Sequence, residues 1–350
     1  MHNENILLQS YSLNSQLTLK NRVVMAPMTR TNANDDLIPT KEMAGYYGRR
    51  ASAGLIITEG TIIRPDGLGY HRVPALFTEA QIHGWQHVTN EVHQNHGLIF
   101  TQIWHVGRVS HPHFLDGNLP ISPSATIMTS PIRRTGLNYG KSRAASLAEI
   151  QELIASYANA ATNAIKAGFD GVEIHGANGY LVDQFLHHHT NHREDDYGGS
   201  SENMARFALA IIKACGDAIG YERLGLRLSP GGYLNEIVGD HRDALVFQYL
   251  LEQLNQLPIA YVHTGNFDDS KLFPELKNQT MTAFIRSHYK GTVIACGGYT
   301  LEKAQQEISR GNFDLIAIGR LFIANPDLIV KLQKNVALRA YEIGMLDSLY

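Results

Sequence analysis

The chain has 350 residues, with 30 Lys+Arg against 33 Asp+Glu, a formal net charge of -3 and 44% hydrophobic residues, which excludes disordered, collagen-like and disulfide-stapled chains. The balanced charge offers no footprint for nucleic acid or an anionic membrane, and no run approaches the ~20 apolar residues of a membrane span. Polar residues interrupt the first sixteen positions, so no signal-peptide core is read there, and Cys215 and Cys296 sit too far apart for a CxxC site or a disulfide framework. A cytoplasmic protein is expected.

In chain order, residues 6–8 and 16–19 read as a hairpin placed to plug the lower end of the sheet that follows. Short β-branched runs predict strands at 22–25, 55–58, 98–103, 171–175, 224–228, 260–263, 292–295 and 315–318. Between them, apolar residues recur at helical spacing in 147–167, 204–219, 244–257 and 301–309. In the first of these, Leu153, Ile154, Tyr157, Ala161 and Ile165 share one stripe. Eight strands alternating with helices predict a parallel, right-handed arrangement, and the length fits a closed (β/α)8 TIM barrel better than an open sheet. The stretch 104–145, with Pro112, Pro120, Pro123 and Pro131, is too long for a plain loop and reads as an excursion after the third strand. No Pro- or Ser-rich linker divides the chain, so one domain over 1–350 is expected.

Barrels of this kind build their sites from the C-terminal strand ends. Here those ends carry Pro27-Met28-Thr29, Glu59-Gly60, Gln102-Ile103-Trp104, His175 to Tyr180, Arg227, Gly297-Gly298 and Gly319-Arg320. Either glycine pair alone reads as a tight strand-to-helix turn. Both at the usual phosphate corner favour a phosphorylated cofactor or substrate, held by backbone N–H groups and an Arg. His175 and Asn178 could hold an oxygen that gains negative charge while Tyr180 delivers a proton. The same spacing also fits a capped turn with Tyr180 as packing. Arg227, between Leu226 and Leu228, must meet an anion, either a ligand or an internal partner such as Glu59 or Glu173. Gln102 is a core amide that must likewise find partners. The run from Phe185 to His192 places His188 and His192 at i,i+4, but there is no HExxH. The polar sequence that follows favours a solvated loop over a metal site.

Pro27-Met28-Thr29, Gln102, Trp104-His105-Val106-Gly107-Arg108 and His175-Gly176-Ala177-Asn178-Gly179-Tyr180-Leu181 resemble, in order, the motifs of the Old Yellow Enzyme family. So do Asp195-Asp196-Tyr197-Gly198-Gly199-Ser200 with Glu202-Asn203, and Gly319-Arg320 with Asn325-Pro326-Asp327. The motifs are similar to those of the N-ethylmaleimide reductase and nitrate-ester reductase branch. The resemblance implies one non-covalent FMN at the barrel mouth. Thr29 would bond the flavin O4, and Gln102 with the backbone of Pro27, Met28 and Gly60 would contact the pyrimidine ring. Arg227 would lie near N1 and O2, and Gly297, Gly298, Gly319 and Arg320 would hold the phosphate.

It further implies that His175 and Asn178 bind the substrate oxygen, that Tyr180 protonates the α-carbon, and that Tyr70 and Trp104 line the substrate cavity. NADPH or NADH would reduce the flavin, and the oxidants would be electron-poor alkenes: unsaturated carbonyls, maleimides and nitroalkenes, with nitrate esters as a further class. Thr29, where a related branch has Cys, and the two scattered cysteines set aside the thiol-bearing and iron–sulfur branches. The family often has Pro where His188 stands, and no C-terminal Tyr is evident to reach over the pocket. Arg133-Arg134 could meet the 2′-phosphate of NADPH or form a solvated surface pair. A monomer or homodimer is expected. The other readings are an FMN barrel dehydrogenase running in the oxidative direction and a flavin-binding redox sensor without catalysis.

Overall fold

The structure is a computed structural model that describes residues 5–132 and 135–350, so Arg133-Arg134 lies outside the described residues. Among these residues, eight parallel strands close into a barrel in which each pairs with the next in sequence and the last with the first. They are β1 (Val23–Met25), β2 (Leu55–Ile62), β3 (Ile99–Trp104), β4 (Gly171–Gly176), β5 (Leu224–Leu228), β6 (Tyr261–Thr264), β7 (Val293–Ala295) and β8 (Leu315–Ile318). Every residue in them is buried. A strand covered on both faces reads as a continuous apolar run, which is why all eight fall on predicted segments.

The helices around the barrel are α1 (Lys41–Gly48), α2 (Glu79–Gln94), α3 (Leu147–Lys166), α4 (Ser201–Ile219), α5 (Asp243–Leu254), α6 (Met281–His288), α7 (Leu301–Ser309) and α8 (Leu328–Lys334), with short turns of helix at Leu181–Leu186 and Arg320–Ala324. A Ser146/Glu149 capping box starts α3, which buries Leu153, Tyr157 and Ala161; the predicted Ile154 and Ile165 lie half-buried at the edge of that stripe. Helix α2 escaped the periodicity reading because its buried face includes Gln81, Gly84 and Thr89. Gly84 is there for closeness, since a Cβ would meet Ile38 and Pro39 at 2.7 and 2.8 Å.

The structure corrects two local expectations. Residues Ile6–Leu8 form a single 3-10 turn, capped by the Asn5 side chain on the Leu7 N–H, and the hairpin instead pairs Tyr11–Ser12 with Thr18–Leu19. It does plug the barrel's lower end, because Leu13 and Leu19 pack with Ile57, Phe100, Tyr261 and Ile294 in the interior. Strand β2 does not stop at residue 58 but runs on through Glu59 and Gly60, with a register shift against β3 between Ile57 and Gly60. The shift re-aims Glu59. Its carboxylate accepts the Arg30 and Thr31 N–H groups at 3.0 and 3.2 Å and the Tyr47 hydroxyl at 3.3 Å.

The excursion after β3 carries the 3-10 turn Pro112–Phe114 and a small parallel pair, Ile121–Ser122 with Arg143–Ala144. Its Val106, Val109, Met128 and Tyr139 pack with Trp104, Tyr70 and Tyr180, so it closes one side of the barrel mouth. No helix among the described residues is long and apolar enough to cross a membrane.

Candidate active site

Past the end of β4 the backbone enters the left-handed region twice in succession, at Asn178 (φ 64°) and Gly179 (φ 76°). Gly adopts this conformation freely and Asn is among the few other residues that tolerate it. The turn gathers the predicted side chains into one stack. Trp104 lies parallel to His175 (5.7 Å, 8°) and to Tyr70 (5.7 Å, 9°). Tyr180 stands edge-on to both Trp104 (4.6 Å) and His175 (4.9 Å), and its hydroxyl lies 2.9 Å from that of Tyr70. Asn178 Oδ1 accepts a hydrogen bond from the Tyr233 hydroxyl. That fixes the amide so that its NH2 is the end left to donate.

Burial, reinforced by Arg227 and His263, holds His175 well below the usual imidazole range, so it is neutral at pH 7. Its Nδ1 is buried without a partner. Burial also pushes the Tyr180 hydroxyl up to about 12, against the partial opposition of the Tyr70 hydrogen bond. The stack thus offers two uncharged donors and a hydroxyl that keeps its proton.

Beside it lies a cavity of about 690 Å³, lined by Pro27, Met28, Arg227, Gly297, Gly298, Gly319 and Arg320 among others. His175 and Arg227 are register partners on β4 and β5, so the stack and the cavity share that seam. Gly297 (φ 135°) could bear no Cβ without meeting the Asp269 backbone N at 2.6 Å. Gly298 (φ 74°) opens toward the Arg320 guanidinium, 3.8 Å from where a Cβ would sit. Of the remaining expected cofactor residues, Thr29 is exposed just beyond β1. Gly60 and Gln102 pair in the barrel wall, where a Cβ on Gly60 would strike the Trp104 ring at 2.6 Å.

Arg227 has no carboxylate within ion-pair distance among the described residues. Glu59 is engaged as described above, and Glu173 binds His263 Nδ1 at 2.8 Å and Gln102 Nε2 at 2.7 Å. The internal salt bridge weighed from the sequence is therefore not made, and Gln102 finds its partner in Glu173. Arg227 is 7% exposed, its Nε has no partner, and Nη2 reaches only the Cys296 sulfur at 3.9 Å. For Cys296 itself, burial raises the thiol pKa, but His263 and Arg227 outweigh it and leave the value lowered.

Three residues of this region escaped the sequence reading. Tyr233 orients Asn178, and nothing in its local sequence marks it. Cys296 lines the cavity although its spacing was uninformative. Tyr341 brings the C-terminal segment to the cavity wall, where no Tyr had been placed. That segment is tied down by Arg30 on the Ser348 carbonyl and Arg50 on the Tyr350 carbonyl, each at 2.6 Å.

The histidine run is also corrected. It is not a solvated loop, because Phe185 packs on Phe207 at 4.2 Å and His187, Thr190 and Asn191 are buried. His187 Nδ1 and His188 Nδ1 both lie on Asp243, at 2.9 and 2.8 Å, and only His192 is exposed.

Comparison with known proteins gives one family. The sequence model of the NADH:flavin oxidoreductase / NADH oxidase family matches residues 12–339. A flavin oxidoreductase of Emericella nidulans is 42% identical over 349 residues, covering 93% of this chain and 89% of its own. A 12-oxophytodienoate reductase 1 of Oryza sativa subsp. japonica is 39% identical over 340 residues, covering 96% and 88%. Among solved structures, the old yellow enzyme homologue from Zymomonas mobilis superposes with a TM-score of 0.90 at 37% identity, over 97% of this chain and 96% of that one. Morphinone reductase, in complex with tetrahydroNAD, gives 0.89 at 38% identity, over 97% and 93%.

Proposed function

The chain belongs to the Old Yellow Enzyme family of NADH:flavin oxidoreductases, and from that premise we propose which of its residues hold the cofactor, the substrate and the proton. It is an FMN-dependent, NAD(P)H-driven oxidoreductase that reduces activated alkenes.

The observation that carries the assignment is the orphaned guanidinium. A buried charge without a carboxylate is costly unless a ligand supplies an acceptor. Arg227 faces the cavity in that state, and two glycines and Arg320 line the same cavity. This donor set fits FMN. Arg227 would hold the pyrimidine edge, where reduction places negative charge, and Gly297, Gly298, Gly319 and Arg320 the phosphate. Thr29, Gln102 and the backbone of Pro27, Met28 and Gly60 would complete the rim. Bound FMN supplies the hydride that NADPH or NADH provides and that the alkene β-carbon receives.

The protein's own groups do the rest. Neutral His175 and the Asn178 NH2 donate to the carbonyl or nitro oxygen, which gains charge as the double bond is attacked. Tyr180 gives its proton to the α-carbon, with Tyr70 holding the hydroxyl in place. Trp104 and the excursion over the mouth exclude water from that step. Unsaturated carbonyls, maleimides and nitroalkenes fit this donor pair, and nitrate esters extend it. We place the protein in the cytoplasm, where the unpaired Cys215 and Cys296 stay reduced.

An anaerobic titration of the purified protein with NADPH, then 2-cyclohexenone, tests the whole reading. The yellow protein should bleach and then recover its colour. Bleaching without recovery would remove the enone from the substrates, and a protein that takes up no FMN would overturn the assignment.

A further inference from the structure

The histidine run has no part in the chemistry just described, yet it lies directly behind the donor turn. Both peptide N–H groups of the left-handed pair end on side chains. The Gly179 N–H donates to Asp183 Oδ2 at 2.8 Å, and the Asn178 N–H donates to the Ser229 hydroxyl at 2.7 Å. Ser229 in turn donates to the same Asp183 oxygen at 3.1 Å. One carboxylate atom therefore closes the turn from both residues.

Asp183 is 1% exposed, and a carboxylate so buried needs a cation. His187, one helical turn further on, supplies it. Its Nε2 lies 3.4 Å from Asp183 Oδ1, a charge contact without the alignment of a hydrogen bond, and its Nδ1 bonds Asp243. Asp243 is fixed in its place by the His188 N–H at 2.9 Å and the Asp240 N–H at 3.0 Å. The chain of contacts runs from the start of α5, through His187 and Asp183, to the backbone of the residue whose amide meets substrate.

We propose that Asp183, anchored by the His187–Asp243 pair and acting through Ser229, is the positioning residue that sets the Asn178 amide for the substrate oxygen. Asn178 pays a steric penalty for its positive φ, so a turn that loses these two acceptors relaxes toward ordinary backbone and swings the amide away. Tyr233 fixes which end of the amide points out; Asp183 and Ser229 fix where it points from.

The inference rests on reading His175 and Asn178 as the oxygen donors, and the experiment separates the two. FMN-loaded enzyme is titrated with para-chlorophenol into the millimolar range, followed by flavin absorbance, for the wild type, Ser229→Ala, Asn178→Ala and the double variant. Ser229→Ala should weaken phenol binding at least fivefold while FMN affinity stays within twofold. In the Asn178→Ala background the same change should cost less than twofold, because no amide is left to position. Asp183→Asn should follow the same pattern; if it does not fold, Ser229→Ala decides alone. A wild type that does not respond to phenol, or an Asn178→Ala variant that binds as the wild type does, overturns the donor reading and this inference with it. Phenol binding unchanged in Ser229→Ala, or equal losses in both backgrounds, overturns the positioning role and leaves the donor pair standing.

Discussion

Tyr180 is suited to giving a proton and not to taking one. Burial pushes its hydroxyl up to about 12, so it remains protonated at neutral pH. Replacing Tyr180 with Phe removes one oxygen from a well-packed stack. Alkene reduction should fall by about 10²-fold or more, the usual share of a general acid, while flavin reduction by NADPH stays within about twofold. Stopped-flow measurement of the two half-reactions checks this, and equal losses in both would remove Tyr180 from the proton step. Arg227 makes the complementary case for binding. With no carboxylate partner among the described residues, Arg227→Met should leave the thermal stability of the apoprotein unchanged or raised. FMN affinity should drop at least tenfold, or by about 1.4 kcal/mol and upward. Calorimetric titration of apoprotein with FMN, beside a thermal scan, reads both quantities. A fall of many degrees in Tm would mean that Arg227 holds the barrel together instead.

At the scale of elements, β2 and β3 are held at a close approach that one methyl group would spoil. Gly60 faces Trp104 so tightly that Gly60→Ala must push the indole away, and Trp104 stacks with both His175 and Tyr70. The overpacking should cost about 1–3 kcal/mol in urea unfolding. It should also change the tryptophan fluorescence, since the chain has only Trp85 and Trp104. An unaltered spectrum with full stability would show that the wall yields easily.

The same pair of strands shows what a sequence reading can and cannot reach. The barrel was legible because fully covered parallel strands write themselves as apolar runs, and the order of His175, Asn178 and Tyr180 was legible because one turn carries all three. The extension of β2 was not, since a bulge places polar Glu59 and Gly60 inside a strand and breaks the pattern. Nor were Tyr233 and Tyr341, which reach the site from other elements and owe their roles to the closure of the barrel. Helix α2 was hidden by the Gln, Gly and Thr on its own buried face.

For the molecule as a whole, the His187 cluster joins two βα units across the top of the barrel, and its charge makes stability depend on pH. Burial alone would lower the His187 pKa, but Asp183 and Asp243 outweigh it and hold the value up at about 10. A folded-state pKa above the ordinary ~6.5 means that the folded protein holds this proton more tightly than the unfolded chain. The resulting stabilisation is therefore fully present below about pH 6.5 and is lost as pH rises through 10. Glu59, raised to about 7 by burial, acts in the same direction, but its effect is complete soon after pH 7. Asp243 acts oppositely: burial opposes its charge, His187 prevails, and its lowered pKa gives stability that fades only in acid. In the interval from about pH 8 to 10 Glu59 and Asp243 are thus silent, and Cys215 and Cys296, whose thiols also titrate there, are common to the wild type and a His187 variant. The apoprotein Tm should fall across that interval, and His187→Gln should lower Tm at pH 7 yet flatten the fall above pH 8, so that the two curves converge. Scanning fluorimetry at constant ionic strength measures the difference directly, and other groups that titrate near pH 10 cancel in it. Curves that stay parallel up to pH 10 would mean that the buried imidazole carries no proton, and that Asp183 and Asp243 are held by something other than its charge.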